Sequence, residues 1–102
     1  MINSKSELIE LLKKHRSEIN KFGVIQLGVF GSFVRDEANE KSDIDFIVDF
    51  KKGEKSLRNL VGLGDFLESI TGRKVELITR ASLSPYLGPK ILTTAEYVSI
   101  AA

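Results

Sequence analysis

The chain has 102 residues, 42% hydrophobic and 28% charged, with 15 Lys plus Arg against 14 Asp plus Glu and a formal charge of +1. That size and balance suit one soluble domain, residues 1–102, and give no support for a whole-surface nucleic-acid binder, though a local basic patch is still allowed. The absence of cysteine excludes disulfides, thiolate zinc sites and a cysteine nucleophile. No apolar run approaches the roughly 18 residues of a membrane span, and the N-terminus lacks a signal-peptide core; a cytoplasmic protein is expected.

Residues 4–21 are expected to be one helix. Ser4 or Ser6 can cap it, and Glu7 lies three residues after Ser4 as in a capping box. Leu8, Ile9, Leu11, Leu12 and Ile19 form its apolar stripe, and Gly23 ends it. His15, the only histidine, is expected on its surface. Val24–Phe30 reads as a first strand, in which Gly28 suggests a close backbone approach or a bulge. Gly31-Ser32 breaks that strand, and residues 33–37 are expected to make a short helical turn. A strand running through Gly-Ser into a helical turn can aim N–H groups and a hydroxyl at a phosphate.

After the polar connection 39–42, residues 43–50 form a second strand. Its alternation sets Asp43, Asp45, Ile47 and Asp49 on one face and Ile44, Phe46, Val48 and Phe50 on the other. Asp49 reads as a solvated acid at the strand end. Lys51-Lys52-Gly53 makes a turn, and residues 54–71 a second helix closed by Gly72. Within it, Gly62 and Gly64 are expected to allow close packing against the sheet. Residues 74–79 form a third strand, in which Glu76 must reach solvent or join a charged site, because burying an unpaired carboxylate is costly. Pro85 leads to a short helix over 86–92, and residues 97–100 form a last strand or a docking tail.

Asp43 and Asp45 carry the chemical signal. Two carboxylates side by side on one strand repel and resist joint ionisation. A hard divalent cation relieves that repulsion, and magnesium is commonly held by one or two carboxylates plus substrate phosphates. Glu76, on a neighbouring strand, can supply a third acid, with Gly31-Ser32 facing the same cleft. Two such metals can clamp the attacking and leaving oxygens of a phosphoryl displacement.

Gly31-Ser32, ten intervening residues and then Asp43-x-Asp45 resembles the signature of the DNA polymerase beta nucleotidyltransferase superfamily. With residues 74–79, KVELIT, the likeness narrows to the minimal nucleotidyltransferases, the MNT family. The resemblance implies an α/β (α+β) fold, a small mixed sheet flanked by helices. It implies Asp43, Asp45 and Glu76 as catalytic, metal-binding carboxylates for Mg2+ or Mn2+, Glu76 standing where the family usually has Asp and acting as general base. Gly31, Ser32 and Arg35 would bind the nucleotide, Arg35 either contacting phosphate or bracing the loop. Asp36 departs from the family, many members of which have Gly there.

The resemblance further implies a magnesium-dependent transfer of AMP from ATP to a tyrosine hydroxyl of a HEPN-domain ribonuclease toxin, with this chain as its antitoxin. An alternative is a weakly active or inactive MNT-fold module that neutralises its partner by contact. Transfer to a small molecule or an RNA end is disfavoured, since relatives of that kind carry a further acceptor-binding domain. Direct nucleic-acid binding is not expected from the near-neutral charge.

Overall fold

The computed structural model describes residues 2–86 and 88–100. Helix α1 spans Lys5–Lys14 and α2 Arg16–Asn20, followed by β1, Val24–Phe30; a 3-10 turn at Gly31–Phe33 and a loop lead to β2, Ile44–Phe50. Helix α3, Leu57–Thr71, precedes β3, Val75–Thr79; a 3-10 turn at Arg80–Ser82, α4 (Gly88–Thr94) and β4 (Glu96–Ser99) complete the order. Among the described residues the strands form a mixed sheet in the order β3-β2-β1-β4. The β1/β2 and β1/β4 pairs are antiparallel and β2/β3 is parallel. The crossover that a parallel pair requires is α3.

Helices α1, α2 and α3 cover one face of this sheet. Leu8, Leu12, Ile19, Leu63 and Leu67 pack against Leu27, Val29, Phe46, Val48 and Val98 in a single core. The alternation of β2 thus directs Ile44, Phe46 and Val48 inward, leaving Asp45, Ile47 and Asp49 to the opposite face. Ile47 is buried there as well. It lies in a row with Ile78, Gly28 and Tyr97. A Cβ on Gly28 would stand 2.7 Å from Ile47 Cγ2 and 2.9 Å from Tyr97 Cε1. The close approach anticipated at Gly28 is therefore between side chains of its two neighbouring strands.

Several local expectations need correction. The first helix is two, because His15 (φ −101°, ψ 18°) interrupts it. His15 is half-buried rather than on the surface: Nδ1 is 2.6 Å from Glu18 Oε2, and the ring meets Phe66 edge-on at 5.7 Å. The Ser4 cap forms, the Glu7 N–H donating to Ser4 Oγ at 3.2 Å. Helix α3 starts at Leu57, since the Ser56 hydroxyl accepts the Asn59 N–H at 3.0 Å and caps it there. Gly62 makes room for the Phe22 ring, 2.8 Å from its notional Cβ, and only Gly64 faces the sheet, at Leu77. The helical turn anticipated at 33–37 falls at Gly31–Phe33, and α4 runs Gly88–Thr94; Leu87, part of the helix anticipated over 86–92, lies outside the described residues. The tail is a strand, β4, against β1.

Candidate active site

The site is assembled by three strand ends. Strand β1 delivers the chain to Gly31, and the antiparallel register Phe30↔Asp45 sets that turn beside β2. The parallel register Asp45↔Glu76 places the second acid next to the first on the same face. Asp43 stands just ahead of β2 and is exposed, as is Glu76, while Asp45 is partly buried.

Gly31 and Asp45 are in close contact. At φ +74°, Gly31 occupies the left-handed region that favours glycine. A Cβ there would stand 2.2 Å from Asp45 Oδ2, so no other residue leaves the carboxylate where it is. The turn is closed by the Arg35 N–H donating to Gly31 O at 3.3 Å and the Glu37 N–H donating to Ser32 O at 2.9 Å. Ser32 is partly buried beside it. The candidate phosphate-holding turn and the candidate metal carboxylate therefore share one surface.

The electrostatics match a site built for a cation. The Asp45 carboxyl is pushed up to about 6, first by burial, then by its hydrogen bond with Glu76, and further by the negative charges of Glu76 and Asp43; Arg35 pulls the other way. Crowded carboxylates hold a proton to relieve repulsion, and a divalent cation can do the same work. Among the described residues no three acidic or histidine side chains converge as a formed ligand cage. The backbone pairs Asp45 with Glu76, whereas Asp43 joins through its charge. Oxygen donors alone in this set suit magnesium or manganese rather than zinc.

Arg35 is exposed, and its Nε donates to Glu37 Oε1 at 3.2 Å. Arg35 thus pairs within its own loop, and the guanidinium still acts on Asp45 through space. Asp36 has φ 55°. This is the left-handed region, which Asp tolerates better than most residues but glycine adopts freely. Its departure from the family pattern therefore falls at a position whose backbone favours glycine.

Two polar arrangements near this face escaped the sequence reading. Asp49 is not solvated alone: Arg80 donates from Nε to Oδ1 at 2.7 Å and from Nη2 to Oδ2 at 3.0 Å. Arg73 is buried and donates to carbonyl oxygens of Asn39 and Ser42 in the loop leading to Asp43. The available signal for Arg73 was its place between a helix-ending glycine and a largely apolar strand, where a long cation must find partners.

The nucleotidyltransferase domain family matches residues 9–98. The chain belongs to that family. It is 39% identical over 93 residues to protein adenylyltransferase MntA of Thermococcus cleftensis, covering 90% of this chain and 93% of that protein. A Methanocaldococcus jannaschii protein provisionally named a protein adenylyltransferase is 41% identical over 91 residues, 89% of each chain. A solved structure provisionally named a minimal nucleotidyltransferase superposes with a TM-score of 0.71 at 32% identity, over 86% of this chain and 93% of that one. A crystal structure of a toxin–antitoxin with AMP-PNP shares the fold, with a TM-score of 0.64 at 22% identity over 91% of this chain and 70% of that one. The mixed sheet with its flanking helices is thus the minimal nucleotidyltransferase fold.

Proposed function

We propose that this nucleotidyltransferase moves AMP from ATP onto a tyrosine hydroxyl of a HEPN-type ribonuclease toxin, in the cytoplasm and with magnesium, and so serves as its antitoxin. The observation that carries the transferase chemistry is the contact of Gly31 with Asp45, because it joins a turn suited to phosphate with an acid pair suited to a cation. The protein acceptor is supported by the relatives named protein adenylyltransferase and by the fold shared with a toxin–antitoxin.

In this reading Asp43, Asp45 and Glu76 hold Mg2+ or Mn2+. Bound there, the cation would neutralise phosphate charge and favour departure of pyrophosphate. Gly31 and Ser32 orient the triphosphate through backbone N–H groups and the Ser32 hydroxyl, and Arg35 adds positive charge at the rim. The tyrosine oxygen attacks the α-phosphorus; the bond to the bridging oxygen breaks and pyrophosphate leaves. Glu76, exposed beside Asp45, takes the proton from the attacking hydroxyl.

The test is incubation of the chain with labelled ATP, Mg2+ and the HEPN-type protein encoded beside it. Label on a tyrosine of that protein, lost when Asp43 and Asp45 are both changed to Ala, is the expected result. Equal labelling with the double variant overturns the assignment. Neutralisation of the toxin by that variant without labelling would point instead to inhibition by contact.

A further inference from the structure

We propose that Arg73 is the positioning residue of this site, whose guanidinium locks the Asn39–Ser42 turn against Phe33 and so sets where Asp43 stands relative to Gly31-Ser32. The proposal rests on reading Asp43 as a cation ligand.

Arg73 is only 6% exposed, and a buried guanidinium is costly unless its donors are used. They are used. Nη1 donates to Asn39 O at 2.7 Å and Ser42 O at 2.9 Å, Nε to Ile2 O at 2.5 Å, and Nη2 to Asn3 Oδ1 at 3.1 Å. Its Cζ lies over the Phe33 ring, 5.0 Å from the centroid, a cation–π distance. Every one of these partners is a neutral oxygen or a ring. Arg73 thus works as a connector of chain segments, and among the described residues it is not half of a salt bridge.

The segments it connects are the informative part. Phe33 follows Ser32 directly, and Ser42 precedes Asp43 directly. One planar group therefore holds the chain immediately after the candidate phosphate turn and immediately before the first candidate metal ligand. The Asn39–Ser42 turn shapes itself: Asn39 N–H donates to Ser42 Oγ at 2.9 Å, Ser42 N–H to Asn39 O at 3.0 Å, and Lys41 N–H to Asn39 Oδ1 at 2.8 Å. Those bonds fix its form without fixing its place. Arg73 fixes its place.

The base from which Arg73 reaches is rigid. Gly72, at φ 71°, caps α3. The Arg73 N–H donates to the buried Thr71 hydroxyl at 3.3 Å, and Lys74 O accepts the Ile44 N–H at 3.0 Å. Lysine cannot replace this arrangement, because one ammonium lacks the planar fork that spans several carbonyls while the cation sits over an aromatic ring. Supporting partners of metal ligands commonly change affinity or activity by about 10–100-fold when altered, and reacting groups tolerate little displacement.

Arg73→Lys and Phe33→Leu, each in the full chain, test the idea. Amide hydrogen exchange is measured across the chain, Mn2+ affinity by spin resonance without nucleotide, and kcat and KM for ATP with the acceptor protein. Arg73→Lys is expected to speed exchange about tenfold in residues 34–43 but not in α3 or β1, and to weaken Mn2+ binding about tenfold. Its kcat should fall by about 10–100-fold with KM for ATP held within about threefold. Phe33→Leu, which keeps the four hydrogen bonds, should shift the same quantities in the same direction by less, and it decides the matter if Arg73→Lys fails to fold. Unchanged exchange in 34–43, or a rise spread evenly over the whole chain, overturns the proposal. A wild-type chain that transfers no AMP would sink the adenylyltransferase reading, and the exchange pattern would still decide the role of Arg73.

Discussion

Asp45 and Asp49 lie four residues apart on the same face of β2, and the fold treats them in opposite ways. Asp49 receives both arms of Arg80, at 2.7 and 3.0 Å, and that guanidinium also lies 5.9 Å from the Tyr97 ring. Its charge is answered by the protein. Asp45 has Glu76 as its strand neighbour, Asp43 just ahead, and an Arg35 whose Nε is bonded to Glu37. Its charge is left for something else to answer. Between them the buried Ile47, accommodated by Gly28, separates the two ends of the strand. A carboxylate matched by a bidentate arginine has its charge neutralised within the fold; one crowded by other acids does not.

The sharpest way to break this comparison is to neutralise each acid and measure transfer. Changing Asp43 and Asp45 together to Ala should lower AMP transfer by at least about a thousandfold, since metal-borne charge stabilisation is lost. Asp49→Asn should leave transfer within about threefold, because an exposed arginine–carboxylate pair contributes only about 0.5 kcal/mol to stability. Comparable losses from both changes would show that the two ends of β2 do not differ in function.

Gly31→Ala comes next. It places a Cβ against Asp45 Oδ2 at a left-handed backbone angle. The chain should lose about 1–3 kcal/mol in chemical denaturation and bind ATP too weakly to saturate in titration calorimetry. A folded, ATP-binding Gly31→Ala chain would refute the shared surface.

Stability should also separate the acids, with opposite signs. Asp45 has a carboxyl raised to about 6 in the folded chain, against about 3.9 when unfolded. Between those values the folded state binds more protons, so the cost of ionising Asp45 is absent below about pH 4 and complete above about pH 6. Asp45→Asn, without divalent cation, should therefore stabilise the chain by about 1 kcal/mol at pH 7.5, a value reduced for solvent screening. The gain should fade as pH falls to about 4. Asp49→Asn should destabilise slightly at pH 7.5. Thermal unfolding across that range reads both. Added Mn2+ should raise the midpoint of the wild type and not that of Asp45→Asn, since a ligand stabilises only the state that binds it.

The smallest expected effect is at Asp36. Its φ of 55° is relaxed by glycine, so Asp36→Gly should stabilise by about 0.5 kcal/mol, the relief of backbone strain being partly offset by a freer unfolded chain. Transfer should be unchanged or modestly faster. A clear loss of stability would mean that the Asp36 side chain supports the loop.

Much of the fold was legible because it rests on local periodicity. The alternation in β2 separates Ile44, Phe46 and Val48 from Asp45 and Asp49 without reference to any other residue, and the structure keeps that separation. Helix ends were read less well. Ser56 decides where α3 begins, through a side-chain hydrogen bond that competes with continued helix, and the backbone angles of His15 decide where the first helix breaks. Glu76, a lone acid in an apolar strand, was left between solvent and the charged site; the parallel register makes it the neighbour of Asp45. The partners of Asp49, Arg80 and Arg73 were not legible, because each lies about 30 or more residues away and no periodicity reports a contact of that range.

The chain by itself determined which residues are candidates for the chemistry: a glycine and serine at a strand end, two aspartates in alternation, and an acid on a later strand. These are properties of residue type and short spacing, which survive any tertiary arrangement. Only the tertiary structure decided which acids stand unanswered. Arginine reaches across elements, so whether a carboxylate is neutralised or left exposed to a cation depends on which strand ends meet. Arg80 meets Asp49, and Arg73 meets the turn before Asp43. Asp45 meets Glu76, the charge of Asp43 and Gly31, whose missing Cβ leaves room for its carboxylate, with Arg35 acting on it through space alone.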